Sequence, residues 1–440
     1  MSGMNTSMFQ QPVGRLILKL AIPTTMGMLV TSGCSMVDTF FIGKLGVTAS
    51  GAAGIVFSLI TFIQAMGYTV GMGAGTQISQ LIGKGQRKDV ECLSNSAVCL
   101  SIIVGIIFSV FAWGFLEPLL KVLGATESVL PEAVGYGRAV VVTAPFLCGT
   151  FVLSTILRSQ GRAVASMLGI VMGAVLHIAL DPLLMFTAHM GVTGAGMALF
   201  ISQGASFSLL FFLLYWGKIS GPFRKKQSRI YRGIITRGLP SFYRQGTAVL
   251  SVIILNRLAG AYGDLAIASF SIAGKVFMLL FSILIGISQG YQPVIGYHFG
   301  AGNRAKVRQA FWFAVAVGTA VAFIASIIGI FFSKELMQLF LKTEFNGRNI
   351  GSEIIQLQSY VVLVLPFCMI ANITFQSVGR TMFAAITSCA RQGIFYLPLI
   401  FPLNALFKVK GLELVQPLAD VLTFLLTIIL VRLFFKVTKK

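Results

Sequence analysis

The sequence predicts an all-α polytopic membrane protein, with twelve transmembrane helices in two pseudo-symmetric six-helix bundles around a central cleft. Three observations carry this. Of the 440 residues, 56% are hydrophobic and only 11% charged, with a mean hydropathy of +0.87; soluble chains are about a quarter charged. Apolar stretches of about 20 residues, enough to cross a ~30 Å hydrocarbon core as a helix, recur along the whole chain. The second half also repeats the first. The shift that carries Pro23 onto Pro240 takes Gly43 onto Gly260, Gly46 onto Gly263 and Gly73 onto Gly290, and lays GKGQRKDV (83–90) over GAGNRAKV (300–307). Helices are required because lipid offers no partner to unpaired backbone groups, and the two-residue alternation of a barrel is absent.

The first span, 16–42, follows Arg15 and Lys19 and reads as a retained helix rather than a cleavable signal. The next, 51–82, carries the small-residue cluster GMGAG (71–75), followed by 93–116 and 137–158. The fifth, 164–187, contains Pro182, and the sixth, 193–217, opens in GVTGAGMA (191–198). Glycine clusters inside apolar helices let neighbours pack closely. No G-x4-G-K-[ST] phosphate loop accompanies them, which argues against an ATP-driven pump. The second half supplies 234–258, 267–298, 308–333, 356–378, 383–405 and 414–435. The domains are therefore an N-terminal lobe (1–217), a basic linker (218–233) and a C-terminal lobe (234–440). Six crossings per half point both lobes the same way, as parallel repeats about an axis along the membrane normal. That arrangement suits two rigid bodies rocking around a central cleft.

The formal charge of +21 is a topology signal rather than a nucleic-acid footprint. The termini and even-numbered loops hold 22 basic residues against two acids, Asp89 and Glu91; the odd-numbered loops hold nine against eight. The positive-inside rule places both termini in the cytoplasm of a plasma (inner) membrane protein. The six cysteines (Cys34, Cys92, Cys99, Cys148, Cys368, Cys389) lie scattered in apolar segments without metal-site spacing, and read as packing residues. No serine–histidine or paired-carboxylate signature of an intramembrane hydrolase is present, so no enzyme activity and no metal site are expected.

Six charges remain inside the spans: Asp38, Asp181, Asp420, Arg244, Lys275 and Arg391. Each costs roughly 2.5–3.5 kcal/mol at the bilayer centre on insertion scales, which makes it a candidate for function. Asp38 and Asp181 lie about 6 and 9 Å below the outer ends of two helices of one lobe, at 1.5 Å per residue. Two such acids titrate jointly. His177 stands one turn deeper on the face of Asp181. Pro182 frees the carbonyl of Ile178 and loosens the turn, so that polar groups there can be hydrated. The repeat puts Leu255 opposite Asp38 and Leu397 near Asp181, so the acids are not dictated by the fold. Arg244 and Arg391 head the related phrases YRQGTAV and ARQGIFY. With Gln245, Gln392 and Met36 they are candidates for the cleft lining, the alternative being that the arginines snorkel to headgroups. Pro23, Pro182 and Pro240 are the expected helix-bending positions.

These motifs, taken in order, resemble the multidrug and toxic compound extrusion (MATE) family, in its bacterial branch that includes the DNA-damage-inducible proteins. The resemblance rests on AIPTTMGMLVTSGCSMVDTFFIGKLG, GKGQRKDV, LRSQGR, LDPLLM, GVTGAGMALFISQ and GLPSFYRQG. It implies export of small amphipathic, often cationic, organic compounds in exchange for H⁺ or Na⁺, with Asp38 and Asp181 as the cation-coupling pair, joined here by His177. Two departures bear on the ion. Members with an N-lobe Na⁺ site carry asparagine where this chain has His177, and threonine where it has Leu199. Each replacement removes an oxygen ligand that a hard cation wants. The acidic site of another branch is also absent, since helix 7 has Arg244 and helix 10 no acid. Protons are thus expected as the coupling ion, with Na⁺ the alternative, and no cofactor. Membrane lipids are expected as surroundings, nucleic acid is excluded as a partner, and a monomer is expected. The rival readings are a lipid-linked oligosaccharide flippase of the same superfamily, whose cavity would be more cationic, and a passive channel.

Overall fold

The computed structural model describes residues 11–216, 227–338 and 345–437. Residues 218–226 of the expected linker lie outside that set. The described residues form helices and short connections, with no strand among them. The first half holds α1 (Val13–Gly43), α2 (Val47–Gly83), α3 (Arg87–Gly114), the short α4 (Leu116–Val122), α5 (Leu130–Ser159), α6 (Ala163–Pro182) and α7 (Gly191–Tyr215). The second holds α8 (Gln227–Gly260), α9 (Asp264–Gly300), α10 (Arg304–Phe331), the short α11 (Ser333–Gln338), α12 (Phe345–Val361), α13 (Leu365–Ser377), α14 (Thr381–Cys389) and α15 (Tyr396–Val437).

The turns explain why some glycines repeat. Gly46 and Gly263 precede α2 and α9 with φ of 120° and 98°; Gly85 and Gly302, in the next turn of each half, have 75° and 73°. A side chain would strain these left-handed backbones. The same shift that aligns the prolines relates both pairs. One hydrophobic core is built from residues between Ile42 and Leu199 and a second from residues between Ala259 and Ala419. A third, including Leu16, Tyr291, Phe311 and Phe375, joins the two halves.

Ten stretches of the described residues are long and apolar enough to cross a membrane. The difference from the twelve expected has two physical sources. α8 carries Arg229, Arg232, Arg237, Arg244 and Arg257, which make it too polar to qualify. The last stretch, Thr381–Lys436, counts once although 56 helical residues would measure about 84 Å. It reverses at Lys408 (φ 53°), and a Cβ on Gly411 would strike the carbonyl of Leu403. Pro366 accounts for another break: α12 ends, a 3₁₀ turn covers Val362–Val364, and α13 starts with the proline in its first turn, where no amide donor is needed.

The halves meet along a glycine seam at the end of the bundle where α1 begins. A Cβ on Gly73 would overlap the carbonyl of Ile234, and one on Gly238 that of Thr69. Gly83 faces Tyr297 and Gly300 faces Gln80 in the same way, while Gly286 and Gly290 of α9 seat against Thr25 and Ala21 of α1. The GMGAG cluster thus serves close helix packing. Polar contacts lace the seam: Arg237 donates to Gln80 Oε1 at 2.9 Å, Gln80 donates to the Ser377 carbonyl, and the Ser32 and Ser282 hydroxyls share a short hydrogen bond.

Candidate functional site

α1 and α6 pack side by side and bring Asp38 and Asp181 together near their C-terminal ends. Pro23 sits within α1 without ending it. The Thr24 hydroxyl bonds the Leu20 carbonyl at 2.7 Å, tying down the turn that the proline weakens. Pro182 acts more strongly: α6 stops there and a π-helical turn, Leu183–Thr187, follows. Such insertions widen a helix and frequently mark functional sites. Pro240 lies within α8.

One ligand atom each from Asp38, His177 and Asp181 falls within 4.8 Å of the others. His177 Nε2 stands 3.4 Å from Asp181 Oδ1, with the aspartate fully buried and the imidazole 15% exposed. That distance is an ion-pair contact without hydrogen-bond geometry. His177 Nε2, both Asp181 oxygens and Asp38 Oδ1 are all buried with no hydrogen-bond partner among the described residues. Most buried polar atoms are paired, so four orphans in one place make this cluster a candidate site for a proton, an ion or water. The backbone of Ala195 lies close to the ring, and Nε2 is the nitrogen turned toward Asp181. Sequence spacing showed no metal-ligand set; the fold assembles this three-ligand group from two helices. One nitrogen and no threonine oxygen, with buried Leu199 in the place of that threonine, suit a proton better than a hard cation. Tyr136 of α5 is a neighbour the sequence did not reveal. It is 3% exposed and sits close enough to feel both carboxylates.

The second cluster lies between α2, α8, α9, α13, α14 and the π-helical turn Ala390–Ile394, around a cavity of about 140 Å³. Arg244, Gln245, Arg391 and Gln392 all line it, as the repeated phrases suggested. Met36 does not; it sits half-buried on α1. The Arg391 guanidinium is 2.7 Å from Asp420 Oδ1, donates a second, longer bond to Oδ2, and lies 4.4 Å above the Phe281 ring. Gln416 donates to the same carboxylate at 2.8 Å. Sequence reading missed this pairing. The signal available was two lone, opposite intramembrane charges on neighbouring spans.

The chain is 25% identical over 421 residues to the multidrug export protein MepA of Staphylococcus aureus strain MRSA252, covering 91% of this chain and 90% of that one. The MepA protein of Staphylococcus haemolyticus is also 25% identical over 417 residues, covering 91% and 89%. The fold superposes with a TM-score of 0.93 on an outward-facing multidrug resistance MATE family transporter of the MOP superfamily, at 21% identity over 100% of this chain and 99% of that one. A Vibrio cholerae MATE transporter, VcmN, gives 0.90 at 19% identity, over 96% and 97%. The MatE family model matches twice, over residues 23–183 and 240–401, in the register that carries Pro23 onto Pro240. The chain belongs to the MATE family.

Proposed function

We propose that this chain is a multi-pass plasma-membrane exporter of small amphipathic organic compounds. It crosses twelve times with both termini in the cytoplasm, and H⁺ entering from outside drives export by alternating access. It works as a monomer, without a cofactor and without an enzymatic step. The observation that carries the reading is the buried meeting of Asp38, His177 and Asp181, with four polar atoms lacking partners. Homology to proteins named for multidrug export supports the direction and the cargo class.

The residues suggest a sequence of steps. With the glycine seam closed on the cytoplasmic side, the acids lie toward the open outer side. A proton that arrives at Asp181 is shared with His177 Nε2, 3.4 Å away. Protonation of Asp38 removes a negative charge from α1, and this helix also packs along α9 across the seam. Proton occupancy on one helix can therefore bias both the cargo cleft and the closure of the seam. The driving force suffices: about 2.3 kcal/mol per charge per 100 mV, plus about 1.36 kcal/mol per pH unit.

Dye transport in everted vesicles tests this, with the H⁺ and Na⁺ gradients collapsed separately. Loss of export on collapsing the H⁺ gradient alone is expected. Loss only when the Na⁺ gradient is collapsed would reverse the assignment of the ion, and insensitivity to both would remove coupled transport.

A further inference from the structure

We propose that the C-lobe cavity holds the anionic head of its cargo, so that the preferred substrates are amphipathic organic acids rather than the cations the family resemblance implies. The inference rests on the exporter reading above and names its substrate class.

The argument is one of charge. Two arginines line the cavity and no acid does. Arg391 is already neutralised by Asp420 and stacked over Phe281. Arg244 is not. It is half-buried, and no hydrogen-bond or ion-pair partner reaches its guanidinium among the described residues. Its helix supplies none, since the sequence holds no aspartate or glutamate between Asp181 and Asp264. Snorkelling does not rescue it either. Arg244 lies ten residues into the expected span 234–258, about 15 Å of helix from its nearer end, farther than an arginine side chain extends. The cavity therefore has one uncompensated positive charge in an environment where such a charge is costly. A carboxylate or sulfonate placed there would form the charge-assisted, two-pronged bond for which a guanidinium is shaped. A cation would add a second like charge.

The rest of the lining fits an amphiphile. Amide groups of Gln245, Gln289 and Gln392 stand beside the arginine, while Met72, Phe281 and Leu365 supply apolar surface. About 140 Å³ admits a head group and the start of a tail, not a whole drug-sized molecule. Tyr68 and Met72 come from α2 of the other lobe, so the cavity lies at the boundary between the lobes.

A pair of probes with one tail and opposite heads tests this: 1-pyrenebutyrate and pyrenebutyl-trimethylammonium. Binding is measured by fluorescence on the purified full-length protein, and export in everted vesicles. The wild type should bind and export the acid at least about tenfold better than the ammonium compound. Arg244→Gln should lose that factor for the acid alone, Arg244→Lys should keep part of it, as a charge without the two-pronged geometry, and Arg244→Glu should invert the preference. Thermal unfolding of each variant separates misfolding from lost recognition, and the graded Lys, Gln and Glu order is one that misfolding would not produce. Preference of the wild type for the ammonium probe would overturn the inference, as would equal loss of both probes in a folded Arg244→Gln protein. Either result leaves the exporter reading intact if export still depends on Asp38. Selective binding of the acid without any gradient-driven export would instead sink the exporter reading and keep the charge assignment.

Discussion

The two lobes answer the problem of charge inside a membrane in opposite ways. In the C-terminal half, Asp420 is satisfied twice over, by Arg391 and by Gln416, and the arginine is further held by an aromatic ring. In the N-terminal half, Asp38 and Asp181 meet beside an imidazole, and both Asp181 oxygens and Asp38 Oδ1 lack hydrogen-bond partners among the described residues. A satisfied pair fixes structure; an unsatisfied group is free to exchange. On the proposed function, the difference assigns proton handling to one lobe and cargo recognition to the other. The repeat makes the contrast informative, because the same helices in the other half carry Leu255 and Leu397 at or near the positions of the acids.

The largest expected effect breaks the comparison on its N-terminal side. Asp38→Asn is nearly isosteric and should insert and fold, yet gradient-driven efflux of every substrate should drop to the level of vesicles without the protein. A well-expressed Asp38→Asn transporter with wild-type efflux would show that the unpaired acids are not the coupling site. The C-terminal side should respond differently. Arg391→Gln leaves a buried carboxylate with one amide partner, which should cost about 2 kcal/mol of stability, discounted because Arg391 is 24% exposed. Thermal unfolding in detergent reads this. Exchange of the two charges (Arg391→Asp with Asp420→Arg) should recover part of the loss. If the single variant is as stable as wild type but loses efflux, the pair is functional rather than structural and the contrast between the lobes fails.

How much of this the sequence disclosed follows from what kind of physics was involved. The all-helical, membrane-spanning character and the internal repeat depend on hydropathy and turn glycines, which are local and additive, and they were readable. Gly46 and Gly263 illustrate it: the same residue recurs because the same left-handed turn recurs. The meeting of His177 with Asp181 was readable too, since four residues on a helix fix a shared face. Contacts set by long-range packing were not. Tyr136 reaches the acids from a third helix. Arg391 finds Asp420 because a π-helical turn re-aims it and the chain folds back at Lys408. The short helices α4 and α11 depend on where the spans end rather than on their own apolar pattern. Met36, named from its place in helix 1 alone, fell outside both clusters.

The smallest effect sharpens the comparison most, because it asks whether the imidazole takes part in proton handling or only fills space. The fold brings His177 Nε2 to 3.4 Å from Asp181. An imidazole titrates near working pH when unperturbed, at about 6.5, and an asparagine amide does not titrate there at all. His177→Asn keeps a polar group of similar reach but removes one proton-binding site from a coupled set of three. The remaining acids must then titrate as a pair, and the pH of half-maximal efflux should move by at least about half a unit. The same change supplies an oxygen where relatives with a Na⁺ site have one, so His177→Asn with Leu199→Thr should gain stimulation by a Na⁺ gradient that neither the wild type nor either single variant shows to the same degree. Efflux measured against pH, with and without Na⁺, decides it. If the wild-type and His177→Asn curves superimpose, the ring is packing, and the coupling site shrinks to the two aspartates.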